Sequence, residues 1–175
     1  MRRLRVILLA VLLIVTAGCG SESTSQEGTE KSGRRYAVLR DDTWRLQEAL
    51  DPPTDDRVAS IERPALDWYA EYVRTTASSS EMVRLSGHEA TFDRARSELE
   101  GVGFVLEEVN LTTWTGVGGT TSETGARPTV IVLDSGGSSF MLLSYDLELA
   151  ALTQLANAVE TVDETTWVEG GGVVG

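Results

Sequence analysis

Residues Thr129 to Tyr145 read TVIVLDSGGSSFMLLSY, and this stretch decides the fold. Thr129 to Leu133 is apolar on both faces of an extended chain, the pattern of a central strand covered on both sides. Asp134 to Ser138 carries two adjacent glycines, which supply positive φ at no steric cost and so reverse the chain. Phe140 to Tyr145 then returns as the hairpin partner. A helix is predicted next, from about Glu148 to Glu160. Leu149, Leu152, Leu155, Ala156 and Val159 make its apolar stripe, while Gln154, Asn157 and Glu160 face out. Strand, turn, strand and helix in this order predict an α+β domain with a mainly antiparallel sheet and about two helices packed on one face.

Upstream, Tyr36 to Arg40 and Trp44 to Leu50 read as short strands around Asp41-Asp42, the second ended by Asp51-Pro52-Pro53. Ala65 to Val73 is rich in aromatic residues and favours a strand, although Leu66, Tyr69 and Val73 also suit a helix. Met82 to Leu85 is a further strand. Ser86 and Glu89 then have the spacing of a capping box for a helix through Phe92, Ala95 and Leu99, with Gly101 placed to stop it. Val102 to Trp114 reads as a long strand, and Gly116 to Arg127 as a glycine- and threonine-rich loop.

The chain opens differently. Arg2, Arg3 and Arg5 precede a run from Val6 to Val15 made of Val, Ile, Leu and Ala, and the first acidic residue is Glu22. Basic, apolar and then small residues are the layout of an export signal. The run is short of the roughly 20 apolar residues that span a bilayer. Thr16-Ala17-Gly18-Cys19 closes it with the single cysteine of the chain, and this tetrapeptide resembles the bacterial lipobox. The resemblance implies cleavage before Cys19 and a diacylglyceryl group on its sulfur, so Cys19 is the expected lipid-attachment site. Two acyl chains give stable anchoring where one is marginal. The expected localisation is therefore the extracytoplasmic face of the cell membrane, with the membrane itself a partner through that lipid.

Residues 1–18 are thus read as a lipoprotein signal peptide. Residues 19–33 are read as a flexible tether, since Gly20 to Gly33 contains no hydrophobic side chain, and residues 34–175 as a single globular domain. The full chain of 175 residues has 15 basic and 27 acidic side chains. Removing residues 1–18 takes away three arginines and no acid, leaving a net charge near −15. Such a surface repels a phosphate backbone, which argues against nucleic acid as a partner. Arginine outnumbers lysine fourteen to one, with Lys31 the single lysine. With abundant Ala, Gly, Val and Asp, that bias points to a GC-rich genome and an actinobacterial-type lipoprotein. The hairpin and helix from Thr129 onward, closing on Trp167, resemble the tail of small envelope lipoproteins of unknown function. They are also similar to the sheet-plus-helix pattern of periplasmic lipoprotein-carrier folds, a resemblance of pattern that transfers no site residue.

Candidates for chemistry are few. Asp134 to Ser138 invites comparison with the nucleophile loop of chymotrypsin-like proteases, in the order His88, acids, Ser135. Leu133 stands where that family has glycine, and a hairpin turn explains the segment. His88 is the single histidine and cannot build a multi-histidine metal site. Asp67 and Glu71, four apart, are a possible acid–base pair if their environments differ. Trp44, Trp68, Tyr69, Tyr72 and Trp114 form either an aromatic platform for glycan or peptide, or core. Gly116-Val117-Gly118-Gly119 lacks the Lys and Ser/Thr of a phosphate loop, and no Asp-x-Asp-x-Asp-Gly calcium loop is present. No catalytic, cofactor-binding or metal residue is therefore assigned. The expectation is a non-enzymatic, membrane-anchored binding or interaction domain for an envelope protein or an apolar or glycan ligand. A carrier or sensor of an apolar ligand and a small cell-envelope hydrolase are the alternatives.

Overall fold

Strands β7 (Thr129–Asp134) and β8 (Ser139–Ser144) pair antiparallel and lie at the heart of the sheet, as their apolar pattern predicts. Alternate β7 residues serve two cores, because successive side chains of a strand point to opposite faces. Ile131 and Leu133 enter the larger core, Val130 and Val132 the smaller. The structure is a computed structural model and describes residues 34–51, 66–121 and 127–175. Residues 1–33, with the signal, the tether and Cys19, lie outside the described residues.

The remaining strands are β1 (Tyr36–Leu39), β2 (Arg45–Asp51), β3 (Trp68–Thr75), β4 (Ser80–His88), β5 (Phe104–Glu108), β6 (Gly116–Thr121), β9 (Val159–Val162) and β10 (Val173–Val174). Eight of the ten form one sheet in the order β10-β2-β3-β4-β8-β7-β6-β5, antiparallel except for the β10–β2 pair. β1 and β9 make a separate antiparallel ribbon. The helices are α1 (Phe92–Gly101), α2 (Leu149–Ala156) and α3 (Glu164–Glu169). The expected α+β class with a mainly antiparallel sheet is what the chain forms.

The helices, expected on one face, divide between two. Ala95 and Leu99 of α1 pack on Val117, Val130, Val132, Met141 and Leu143. Leu152 and Leu155 of α2 pack on the opposite side, with Ile131, Leu133, Phe140 and Leu142. A central strand that is apolar on both faces requires a cover on each side, and one helix serves each. The β1–β9 ribbon and Trp167 of α3 complete the larger core.

Four local expectations are corrected. Ser86 caps no helix: β4 continues through His88, and Thr91 is the N-cap of α1. The ladder from Ser86 to Met141 and from His88 to Ser139 holds this segment extended. Gly116–Thr121 is strand β6, not loop. Its glycines suit the close layers around it, since a Cβ on Gly118 would lie 2.8 Å from Leu149 Cδ1. The strand expected over Val102 to Trp114 ends at Glu108. The C-terminal helix ends at Ala156, and Val159–Val162, with its β-branched residues, pairs with β1 instead. Consequently β1 and β2, neighbours in sequence, belong to different sheets. Ala65 to Val73 resolves in favour of strand, from Trp68 onward.

Candidate functional site

The turn Asp134–Ser138 is built by its own polar groups. Gly136 N donates to Asp134 Oδ1 at 2.8 Å, Ser135 N donates to Ser138 O at 3.2 Å, and the two serine hydroxyls meet at 2.5 Å. Gly136 and Gly137 have φ of 73° and 120°, which a side chain rarely tolerates. The Arg35 guanidinium donates to Ser135 O. This is a self-satisfied hairpin turn.

His88 meets Ser86 instead of Ser135, with Nε2 2.9 Å from the Ser86 hydroxyl. Alternation along β4 sends Val83 and Leu85 into the larger core and turns Ser86 and His88 to the α1 face. Ser86 Oγ also donates to Met141 O at 3.4 Å, and the neighbouring Ser139 hydroxyl donates to Ala90 O at 2.9 Å. A serine–histidine contact at this distance has the geometry of a nucleophile and its base. Both residues, however, are 1 % exposed. A hydroxyl sealed to that degree offers no face to a substrate, so the pair knits β4 to β8 beneath α1.

The aromatic candidates separate. Trp68 joins Tyr36, Trp167 and Phe140 in one cluster with ring centroids 4.7–5.9 Å apart, and Trp114 meets Phe140 edge-on at 5.7 Å. Indole N–H groups inside a core need acceptors. Trp68 Nε1 donates to Arg35 O at 2.9 Å, and Trp114 Nε1 to Val159 O at 3.0 Å. Trp44 is buried under the Arg74 guanidinium, and the Tyr72 hydroxyl accepts from Leu39 N. Tyr69 points the other way, its hydroxyl donating to Glu48 at 2.9 Å. Four of the five candidates are buried and Trp114 is half-buried. They are core. Their partners Tyr36, Phe140 and Trp167 are not marked in the sequence, because a lone aromatic in a short apolar segment carries no signal of its neighbours.

Asp67 and Glu71 also part company. Glu71 accepts from Arg84 at 2.5 Å. Asp67 stands just before β3, its amide donating to Gly87 O at 2.8 Å. Burial pushes its carboxyl up to about 6, helped by the charges of Glu89 and Asp51 and opposed by Arg34. Around this point the N-terminal end of the described chain is clamped. Asp51, 2 % exposed, accepts from the Tyr36 hydroxyl at 2.5 Å and from the Arg34 guanidinium. Burial first, then the hydrogen bond to Asp51, raises the Tyr36 hydroxyl well above its ordinary pKa. Gly175 N donates to Asp51 O at 2.7 Å, so one residue holds both β1 and the strand β10 region. No signal in the sequence separates Asp51 from the other acids; its burial depends on a long-range partner.

Among the described residues, no group of three His, Cys, Asp or Glu side chains is placed to hold a metal ion. Among the same residues no helix is long and apolar enough to cross a membrane. Gly116 to Gly119 lies within β6, its backbone paired with β5 and β7.

No protein-family profile matches the sequence. No curated protein matches it either. Among solved structures, the chain aligns with one described as the crystal structure of LpqN involved in cell envelope biogenesis of Mycobacterium tuberculosis. The alignment covers 77 % of this chain and 87 % of that one, at 21 % identity and a TM-score of 0.37.

Proposed function

We propose that the protein is a bacterial lipoprotein, anchored on the extracytoplasmic face of the cell membrane through Cys19, whose domain acts by binding a partner in the envelope and not by catalysis. The observation that carries this is the tetrapeptide Thr16-Ala17-Gly18-Cys19 behind a basic and apolar leader, followed by a stretch without hydrophobic residues up to Gly33. Among the described residues, the packing of α2 on the sheet supports surface binding over carriage of an apolar ligand between them. Leu152, Ile131, Leu133 and Leu142 are fully buried where α2 meets the sheet. The sealed Ser86–His88 pair likewise supports a non-enzymatic role.

Intact-mass analysis of the protein from a bacterial host tests the anchor. The expected product begins at Cys19 and carries a diacylglyceryl group, and Cys19→Ala abolishes that mass and releases the protein from the membrane fraction. A chain that keeps residues 1–18, or is cut elsewhere without lipid on Cys19, overturns the reading. Limited proteolysis is expected to cut first within residues 20–33 and leave the domain intact.

A further inference from the structure

Among the described residues β5 is the last strand of the eight-stranded sheet, and the direction of its outward hydrogen-bonding groups follows from its register. Val109 N donates to Gly116 O at 3.2 Å, just beyond the strand end. Bonded and non-bonded pairs alternate along an antiparallel ladder. The bonded pairs are therefore Glu107 with Gly118 and Val105 with Thr120. Phe104, Leu106 and Glu108 turn their backbone N–H and C=O groups away from β6, along the sheet edge. Such a row is a template for another strand.

The side chains at this edge are graded. Phe104 and Leu106, half-buried on the α1 face, precede the exposed Glu108; Val105, 69 % exposed on the other face, precedes Glu107. Val102, just before the strand, is 45 % exposed. α1, which packs beside β5, adds Asp93 in its first turn, while its Glu98 and Glu100 are paired with Arg94 and Arg96 at 2.7 and 2.9 Å. The edge is thus apolar at one end, and at the other it carries the exposed carboxylates of Glu107 and Glu108.

We propose that the outer edge of β5, Phe104 to Glu108, docks an extended segment of a basic partner protein, which adds to the sheet as a further strand with apolar side chains beside Val105 and Leu106 and cations beside Glu107 and Glu108. This rests on the reading of the domain as a binding module and names its partner class. Backbone bonds supply the attachment, and the charged end sets orientation and choice of partner.

The test uses the full chain purified in detergent, in wild-type and Cys19→Ala forms, with a capped Lys-Lys-Val-Thr-Val-Thr peptide as probe. Saturating peptide is expected to slow amide hydrogen exchange at Phe104, Leu106 and Glu108. Replacing Glu107 and Glu108 together with Lys, both exposed and so harmless to the fold, is expected to weaken the peptide about tenfold. N-methylating the peptide amides that face β5 should abolish binding, while methylating the alternate ones should not. The proposal is overturned by peptide binding without protection at those three amides, or by equal binding of a Glu-Glu-Val-Thr-Val-Thr peptide. Protection of the same amides in a peptide-free dimer overturns it as well. Peptide binding should be equal in the two Cys19 forms, so failure here and failure of the lipid anchor are read separately.

Discussion

Tyr36 stacks on Trp167, their ring centroids 4.7 Å apart and their planes 28° from parallel. The contact joins the first strand of the described chain to its last helix, and the Tyr36 hydroxyl continues the link to Asp51. Tyr36→Phe keeps the stack and removes the hydroxyl, leaving a buried carboxylate short of one donor. It is expected to cost about 1–3 kcal/mol. Trp167→Ala, which empties the site, should cost about 3–5 kcal/mol. Urea melts of both variants check the order; equal midpoints would mean that the ring stack contributes nothing beyond the hydroxyl.

Gly87 is required by Trp68. A Cβ at Gly87 would lie 2.2 Å from Trp68 Nε1 and 2.5 Å from Cε2, so Gly87→Ala forces the indole off its acceptor, Arg35 O. The expected loss is about 1–3 kcal/mol. Gly101→Ala, at the end of α1 with open space around it, should be neutral or stabilising by up to about 1 kcal/mol. Thermal melts that ranked these two variants the other way would show that Trp68 does not lie on the strand.

Leu152 is fully buried in mid-α2, while Gln154 two positions on is exposed. Leu152→Asp loses the roughly 2–5 kcal/mol of a truncated core leucine and adds an unpaired buried carboxylate. That approaches the whole stability of a small domain, about 5–15 kcal/mol. Gln154→Asp should be nearly silent. Comparable circular-dichroism melts for the two would place α2 elsewhere.

Asp67 makes stability depend on pH. Its carboxyl is raised from 3.8 to about 6, so the folded chain holds a proton that the unfolded chain has already released across that window. Stability therefore falls as pH rises from about 4 to about 6 and stays lower above it. Each pKa unit corresponds to about 1.4 kcal/mol; partial exposure reduces the effect of this shift to roughly 1–2 kcal/mol. Asp67→Asn is expected to stabilise the domain by that amount at pH 7 and to leave it unchanged near pH 4. A gain of the same size at both pH values would assign the effect to packing instead of charge.

What the sequence discloses is local. Thr129 to Tyr145 shows its hairpin because two apolar strands and a glycine pair are adjacent, and α1 shows itself through Phe92, Ala95 and Leu99 at helical spacing. β6 is hidden, since glycine and threonine resemble a loop until Leu149 and β5 are seen crowding against them. β9 is hidden within the helical stripe, because Val159 is apolar at a helical position yet is buried by β1. The chemistry follows the same rule. The turn at Ser135 was legible from its glycines. The Ser86–His88 contact was obscured by the capping-box reading, and the clamp on Asp51 depends on residues far away in sequence.

The order of the strands governs how the domain folds. Tyr36 must find Val162, Leu50 must find Val173, and Arg84 must find Leu143. Among the described residues, β2–β3–β4 and β5–β6–β7–β8 are meanders of consecutive strands, and Trp68 of the first is covered by Tyr36, Phe140 and Trp167 from distant parts of the chain. Distant pairings such as β1–β9 and β4–β8 slow folding, because loop closure must precede the contacts that reward it. The smaller core, from Ala90 to Leu143, is contiguous in sequence, whereas the larger one spans Tyr36 to Trp167 and is complete only with the last helix.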